Sequence, residues 1–170
     1  MPRQLLLDGR IIVDEWRTPE EIEAQGESPG VKRLLPLERW LAERERWLEL
    51  AATVGVICAP GDHVESLASD LPRLALVGAT FTGPGEGRGY SQGRLLRERF
   101  GFQGELRACG YVRRDQVFLL ARCGFNSFEL PQFELESARA ALATFSAAYQ
   151  PANDRGLLRA LRQRERPHLS

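Results

Sequence analysis

The stretch "LALVGATFTGPGEGRGYSQGRLLRERF", Leu74 to Phe100, runs from apolar and β-branched residues through a glycine-rich turn into an amphipathic segment at helical spacing. That is one βα unit, and the same order recurs along the chain. The expected strands are Val54–Ala59, Leu74–Phe81, Glu105–Val112 and Ser127–Leu130; the helices expected after them are Asp62–Asp70, Ser91–Phe100, Arg113–Cys123 and Glu134–Gln150. In the first of these helices Val64, Leu67, Ala68 and Leu71 share a face, and in the last Leu135, Ala138, Leu142, Phe145 and Tyr149 do. Strands alternating with helices imply a parallel sheet with helices packed outside it, so the fold class is α/β. Four consecutive βα units are half of an eight-unit, TIM-like barrel. Either the sheet stays open with its edge covered, or it curls as a half-barrel and finds a partner; periodicity does not separate the two.

Upstream, "QLLLDGRIIVDEW" sets two apolar runs around Asp8-Gly9, a pair suited to the positive φ angles of a tight turn, and predicts an N-terminal β-hairpin within residues 1–17. Thr18 to Gly30 is rich in Pro, Gly and Glu and reads as an exposed loop. Leu37, Trp40, Leu41, Trp47, Leu48 and Ala51 then recur at helical spacing and predict one amphipathic helix, Pro36–Ala52. After Pro151 the chain is polar, with Arg155, Arg159, Arg162, Arg164 and Arg166. The expected organisation is a single domain over 1–150 and an Arg-rich tail over 151–170.

A chain of 170 residues with 43% apolar content supports one buried core. Lys plus Arg and Asp plus Glu stand at 23 each, so no overall field draws in nucleic acid or an anionic membrane, and neither is expected as a partner. No apolar run is long enough for a membrane span, and the N-terminus lacks a leader pattern. Cys58, Cys109 and Cys123 lack CxxC spacing and read as reduced thiols of a cytoplasmic protein. With His63 and His168 the only histidines, no intrinsic metal site is expected.

Ligands of parallel α/β sheets meet the carboxyl ends of the strands, which directs attention to the loops after each expected strand. The glycine loop fails the dinucleotide test, because the third glycine of GxGxxG would fall on Arg88, Tyr90 or Gln92. No P-loop lysine is present either, since Lys32 is the only lysine. Two readings of this turn remain. In one, Gly87 and Gly89 let the backbone approach a ligand, Ser91 caps the helix, and Arg88 and Arg94 face an anion; in the other, it is an ordinary capped turn. Asp115, at a helix start behind Arg113 and Arg114, and Glu129, at a strand end, are the candidate acid-base carboxylates. The plainer readings are a charge that favours the helix dipole and a surface charge.

The segment from Gly87 to Leu130 carries the blocks GRGYS, LLRERFGF, GELRA, RDQ and RCGF, and with them the sequence resembles DUF934, a bacterial family of uncharacterised function. Members are linked to sulfite reduction, as oxidoreductases, through the genes they accompany. The resemblance carries over Arg88, Gly89, Tyr90, Ser91, Arg114, Asp115 and Gln116. It departs at Glu86, Tyr111 and Asn126, where the family's DGRGYS, GDVLRDQ and CGFDAF place aspartates. No dinucleotide fingerprint, cluster spacing or haem motif is present, so no cofactor is identified and an independent redox enzyme would borrow one. The resemblance implies an accessory factor of assimilatory sulfite reduction that binds a small anion or the sulfite reductase itself. The residues also allow a stand-alone barrel-type enzyme acting on a phosphorylated or sulfated small molecule through Asp115 and Glu129, with the anion held by Arg88 to Ser91, Arg94, Arg114 and Gln116. A third reading is a non-catalytic half-barrel that forms a homodimer or binds a reductase through a sheet edge.

Overall fold

The computed structural model describes residues 2–50 and 52–148; the expected Arg-rich tail and the end of the last helix lie outside the described residues. The chain folds as a mixed α/β structure on one eight-stranded sheet. Strands β1 (Gln4–Leu7) and β2 (Arg10–Val13) form the predicted antiparallel hairpin, turning through Asp8 at φ 48° and Gly9 at φ 76°. Both centre residues take positive φ, as a two-residue hairpin turn that follows strand twist requires.

Thr18 to Gly30 is not a loop throughout: helix α1 (Pro19–Gln25) follows the two-residue strand β3 (Trp16–Arg17). Its signal was present in Thr18-Pro19-Glu20-Glu21. The Thr18 hydroxyl accepts from Glu21 N at 3.3 Å and the Glu21 carboxylate accepts from Thr18 N at 2.8 Å, a reciprocal capping box. Strand β4 (Lys32–Pro36), also unexpected from sequence, leads into helix α2 (Leu37–Glu49). There follow β5 (Val54–Cys58), β6 (Leu76–Phe81), helix α3 (Arg88–Arg94) continued by a π-helical turn over Leu95–Arg99, β7 (Glu105–Gly110), α4 (Val117–Arg122), β8 (Ser127–Phe128) and α5 (Leu135–Ala148).

The expected helix Asp62–Asp70 is replaced by two 3₁₀ turns, Val64–Leu67 and Leu71–Arg73. The reason is local. The Asp62 carboxylate folds back to accept from Ala59 N at 2.7 Å, the bonds from Ser66, Ala68 and Asp70 all reach back three residues, and Pro72 has no N–H to extend a helix. Asp70 is meanwhile held by Trp40 Nε1 at 3.0 Å and Arg44 at 3.2 Å.

From β3 to β8 the strands pair parallel in chain order, and the hairpin closes the β8 side antiparallel, giving β2-β1-β8-β7-β6-β5-β4-β3. Only Asp14 and Glu15 separate the two edge strands. Laid flat, seven spacings of about 4.8 Å would put the edges roughly 34 Å apart. Three residue steps, Val13 to Trp16, reach at most about 11 Å. The sheet is therefore curled as in a half-barrel, with its two edges drawn together at Asp14.

Curling gives the strands an outer and an inner face. Alternation sends Val54, Val56, Val77, Ala79, Leu106, Ala108 and Phe128 outward into the main core, where Trp40, Leu67, Leu96, Phe125 and Leu135 of the covering elements meet them. The inner face is filled by Trp16, Leu34, Leu76 and Ile57. Gly55 makes room for it: a Cβ there would lie 2.9 Å from Leu76 and 3.0 Å from Trp16.

Candidate functional site

The rim at the carboxyl ends of the parallel strands gathers most of the residues singled out from sequence. Helix α3 starts at Arg88, so Ser91 lies inside it and the cap position is Gly87, which contributes no side chain. The two glycines inside α3, Gly89 and Gly93, serve packing, whereas Gly83, Gly85 and Gly87 have open space around them. A Cβ on Gly89 would sit 2.5 Å from the Phe81 ring, and one on Gly93 2.4 Å from the Phe125 ring. The helix thus lies close against β6 and the chain before β8, and Tyr90 meets Phe81 edge-on with centroids 5.2 Å apart.

The start of α3 is occupied by the chain's own carboxylate. Glu86 accepts from Arg88 N and Arg88 Nε, each at 3.0 Å, and from Arg88 Nη2 at 3.1 Å. These bonds from Arg88 hold the Glu86 carboxyl below its ordinary range. Arg88 is accordingly turned back on its own loop.

The turn after β7 is pinned in three places. Arg113 N donates to Gln116 Oε1 at 2.8 Å, Arg114 N donates to Glu134 Oε2 at 2.8 Å, and Gln116 Nε2 reaches the Tyr90 hydroxyl at 3.4 Å. Burial raises the Tyr90 hydroxyl above its usual range, against the opposing pull of the Gln116 hydrogen bond. Arg113 is committed to an ion pair with Glu134. Arg94, Arg114 and Asp115 are exposed, and among the described residues nothing accepts from the Arg114 guanidinium.

Glu129 stands apart from Asp115, on the inner face. Its carboxylate lies 3.4 Å from Arg107 Nη1, at the centre of a cluster that the sequence reading missed. Arg107 is 1% exposed and also meets Asp14 at 3.1 Å and Glu105 at 2.8 Å. Asp14 in turn accepts from Arg3 Nε at 2.8 Å and Trp16 N at 3.1 Å, and Ser127 Oγ donates to Glu105 at 2.6 Å. The cluster thus spans the inner face from β7 to the junction of the two sheet edges. The cue lay in "ELRACG", where a strand of otherwise core character carries an arginine at an inward position. Cys109, on the same inner face, is buried, and that burial with Glu129 nearby pushes its thiol well above the ordinary range. It is a neutral thiol at physiological pH.

Asn126, where the family block has aspartate, lies before β8, at the opposite end of the strands from the rim. Its Oδ1 accepts from Leu106 N at 2.7 Å and Arg97 Nη2 at 2.9 Å, while its Nδ2 donates to Asp8 at 3.0 Å. The residue ties the hairpin to the sheet. Arg97, from the π-helical turn, completes the joint by donating to the carbonyls of Gly124, Phe102 and Gly104. Among the described residues no group of His, Cys, Asp and Glu could hold a metal ion, and no helix is long and apolar enough to cross a membrane.

A curled α/β sheet that carries the GRGYS and RDQ segments on one rim defines the class; comparison with known proteins then gives the family. Residues 55–157 match the family model DUF934, "Bacterial protein of unknown function", and the chain belongs to that family. No curated protein matches the chain.

Proposed function

We propose that this protein is an accessory factor of assimilatory sulfite reduction that binds a small oxyanion on the rim formed by α3 and the turn after β7. The metabolic setting of this reading rests on the association with sulfite reduction that the sequence resemblance implies. The observation that carries the binding role is Arg114: its backbone is fixed by Glu134 and its neighbours by Gln116 and Tyr90, yet its guanidinium projects with no acceptor among the described residues. A guanidinium on a pinned turn is preorganised for a planar or tetrahedral oxyanion. The proposal takes the four βα units from Val54 onward as half of a TIM-type barrel, whose ligands meet the carboxyl ends of the strands.

This reading is favoured over acid-base catalysis by Asp115 and Glu129 because the two carboxylates lie in different places, one exposed on the rim and one engaged by Arg107 on the inner face. Thermal-shift titration with sulfite, sulfate and phosphate tests it. A saturable rise in melting temperature with sulfite, lost in Arg114→Glu, is expected. No response to any of the three, together with no co-purification of a sulfite reductase component, would sink it.

A further inference from the structure

A second site lies outside the matched family segment, where α1 and α2 cross over β4. A groove of about 340 Å³ runs between them, with Leu35, Trp47 and Leu50 as its apolar floor and Arg33, Arg39 and Arg46 on its wall. Its size falls in the range of small-molecule pockets, roughly 300–1,000 Å³. Leu50 is 59% exposed, whereas Leu35 and Trp47 are buried beneath it, so Leu50 is the uncovered apolar part of the floor.

The cations converge on one ring. The Arg33 guanidinium lies 5.4 Å and the Arg46 guanidinium 5.2 Å from the centroid of Trp47, whose Nε1 donates to Glu43 at 3.1 Å. Their countercharges are loosely held. Arg33 pairs with Glu27, which is 68% exposed and sits between Gly26 and Gly30, both at positive φ; Arg39 pairs with Glu43 at 3.3 Å along the helix. Among the described residues nothing accepts from Arg46. The Arg39–Glu43 pair runs along the helix surface with both side chains about a third exposed, a kind of pair that contributes little, so an incoming oxyanion displaces it at little cost.

Arg39 and Arg46 are seven residues apart on α2, two turns and about 10.5 Å along the axis, on one face. Two arginine side chains of that length can close on a single acidic group. Glu23 and Glu27 on the facing wall oppose a bare polyanion. We propose that the groove binds a small organic anion with one acidic group, held by Arg39 and Arg46, and a flat apolar body packed against the exposed Leu50. This site is independent of the rim proposed above.

The test uses the full chain and three probes: anilinonaphthalenesulfonate, AMP and inorganic phosphate, followed by calorimetry and by tryptophan fluorescence. Saturable binding of the first two in mutual competition, with phosphate much weaker, is expected. Arg46→Glu should weaken both by about tenfold or more, the scale of one lost charged hydrogen bond, with its melting temperature near that of the parent. If Arg46→Glu misfolds, Arg39→Gln carries the same expectation. Absence of saturable binding, phosphate binding as tightly as AMP, or unchanged affinity in the folded variants would overturn the proposal.

Discussion

Replacing Arg107 by methionine removes the one cation that meets Asp14, Glu105 and Glu129 together. Methionine keeps much of the side-chain length and introduces no new charge, so the change isolates electrostatics from volume. Breaking a buried ion pair by deleting one partner costs about 3–5 kcal/mol, because the remaining charges are stranded away from water. The structure places this case near the lower end. Asp14 keeps Arg3 and Trp16 N as partners, Glu105 keeps Ser127, and Glu129, with its side chain 27% exposed, can be hydrated. The expected loss is about 3 kcal/mol, read from urea unfolding by circular dichroism at pH 7. A loss below about 1 kcal/mol, or a variant as stable as the parent, would refute the view that this cluster fastens the two sheet edges.

Gly89→Ala and Gly93→Ala should each cost about 1–3 kcal/mol by driving a methyl into the Phe81 and Phe125 rings; neutral outcomes in thermal melts would show that α3 can back away. Asn126→Asp, which restores the carboxylate of the family block, sets a second acid against Asp8 and loses the Nδ2 hydrogen bond. Its melting temperature should fall at pH 7, and an unchanged or raised melting temperature would contradict this. The Cys58 thiol is pushed by burial from 9.0 up to about 12, so its stabilising contribution is complete below about pH 9 and is lost as pH rises toward 12. Native protein at pH 8 should therefore label slowly with dithionitrobenzoate and release all three thiols on unfolding; rapid native labelling of Cys58 would contradict its burial.

Much of the architecture was legible because it rests on local pattern. The hairpin at Asp8-Gly9, α2 and the strand cores of β5, β6 and β7 follow from turn chemistry and from periodicity that tertiary packing reinforces. Helix α1 was equally legible through its capping box, but the Pro and Glu content around it drew the reading toward a loop. The failures were of another kind. Strand β4 is five residues long with only Leu34 and Leu35 buried, too short to show a period of two. The helical pattern of Val64, Leu67, Ala68 and Leu71 was real, yet Asp62, Asp70 and Pro72 spend their groups on tertiary and turn contacts that a continuous helix would forbid.

For the candidate site, sequence by itself determined the family block, the α/β class and the rim on which Arg88, Tyr90, Arg114 and Gln116 fall. Only the tertiary structure decided what each residue does there. Gly89 serves packing, Glu86 fills the start of α3, Asn126 ties the hairpin at the opposite end, and Glu129 belongs to the Arg107 cluster. The physical reason is sequence separation. Arg107 and Asp14 are 93 residues apart, and their meeting depends on how far the sheet curls, a property of strand order and closure that no local spacing encodes.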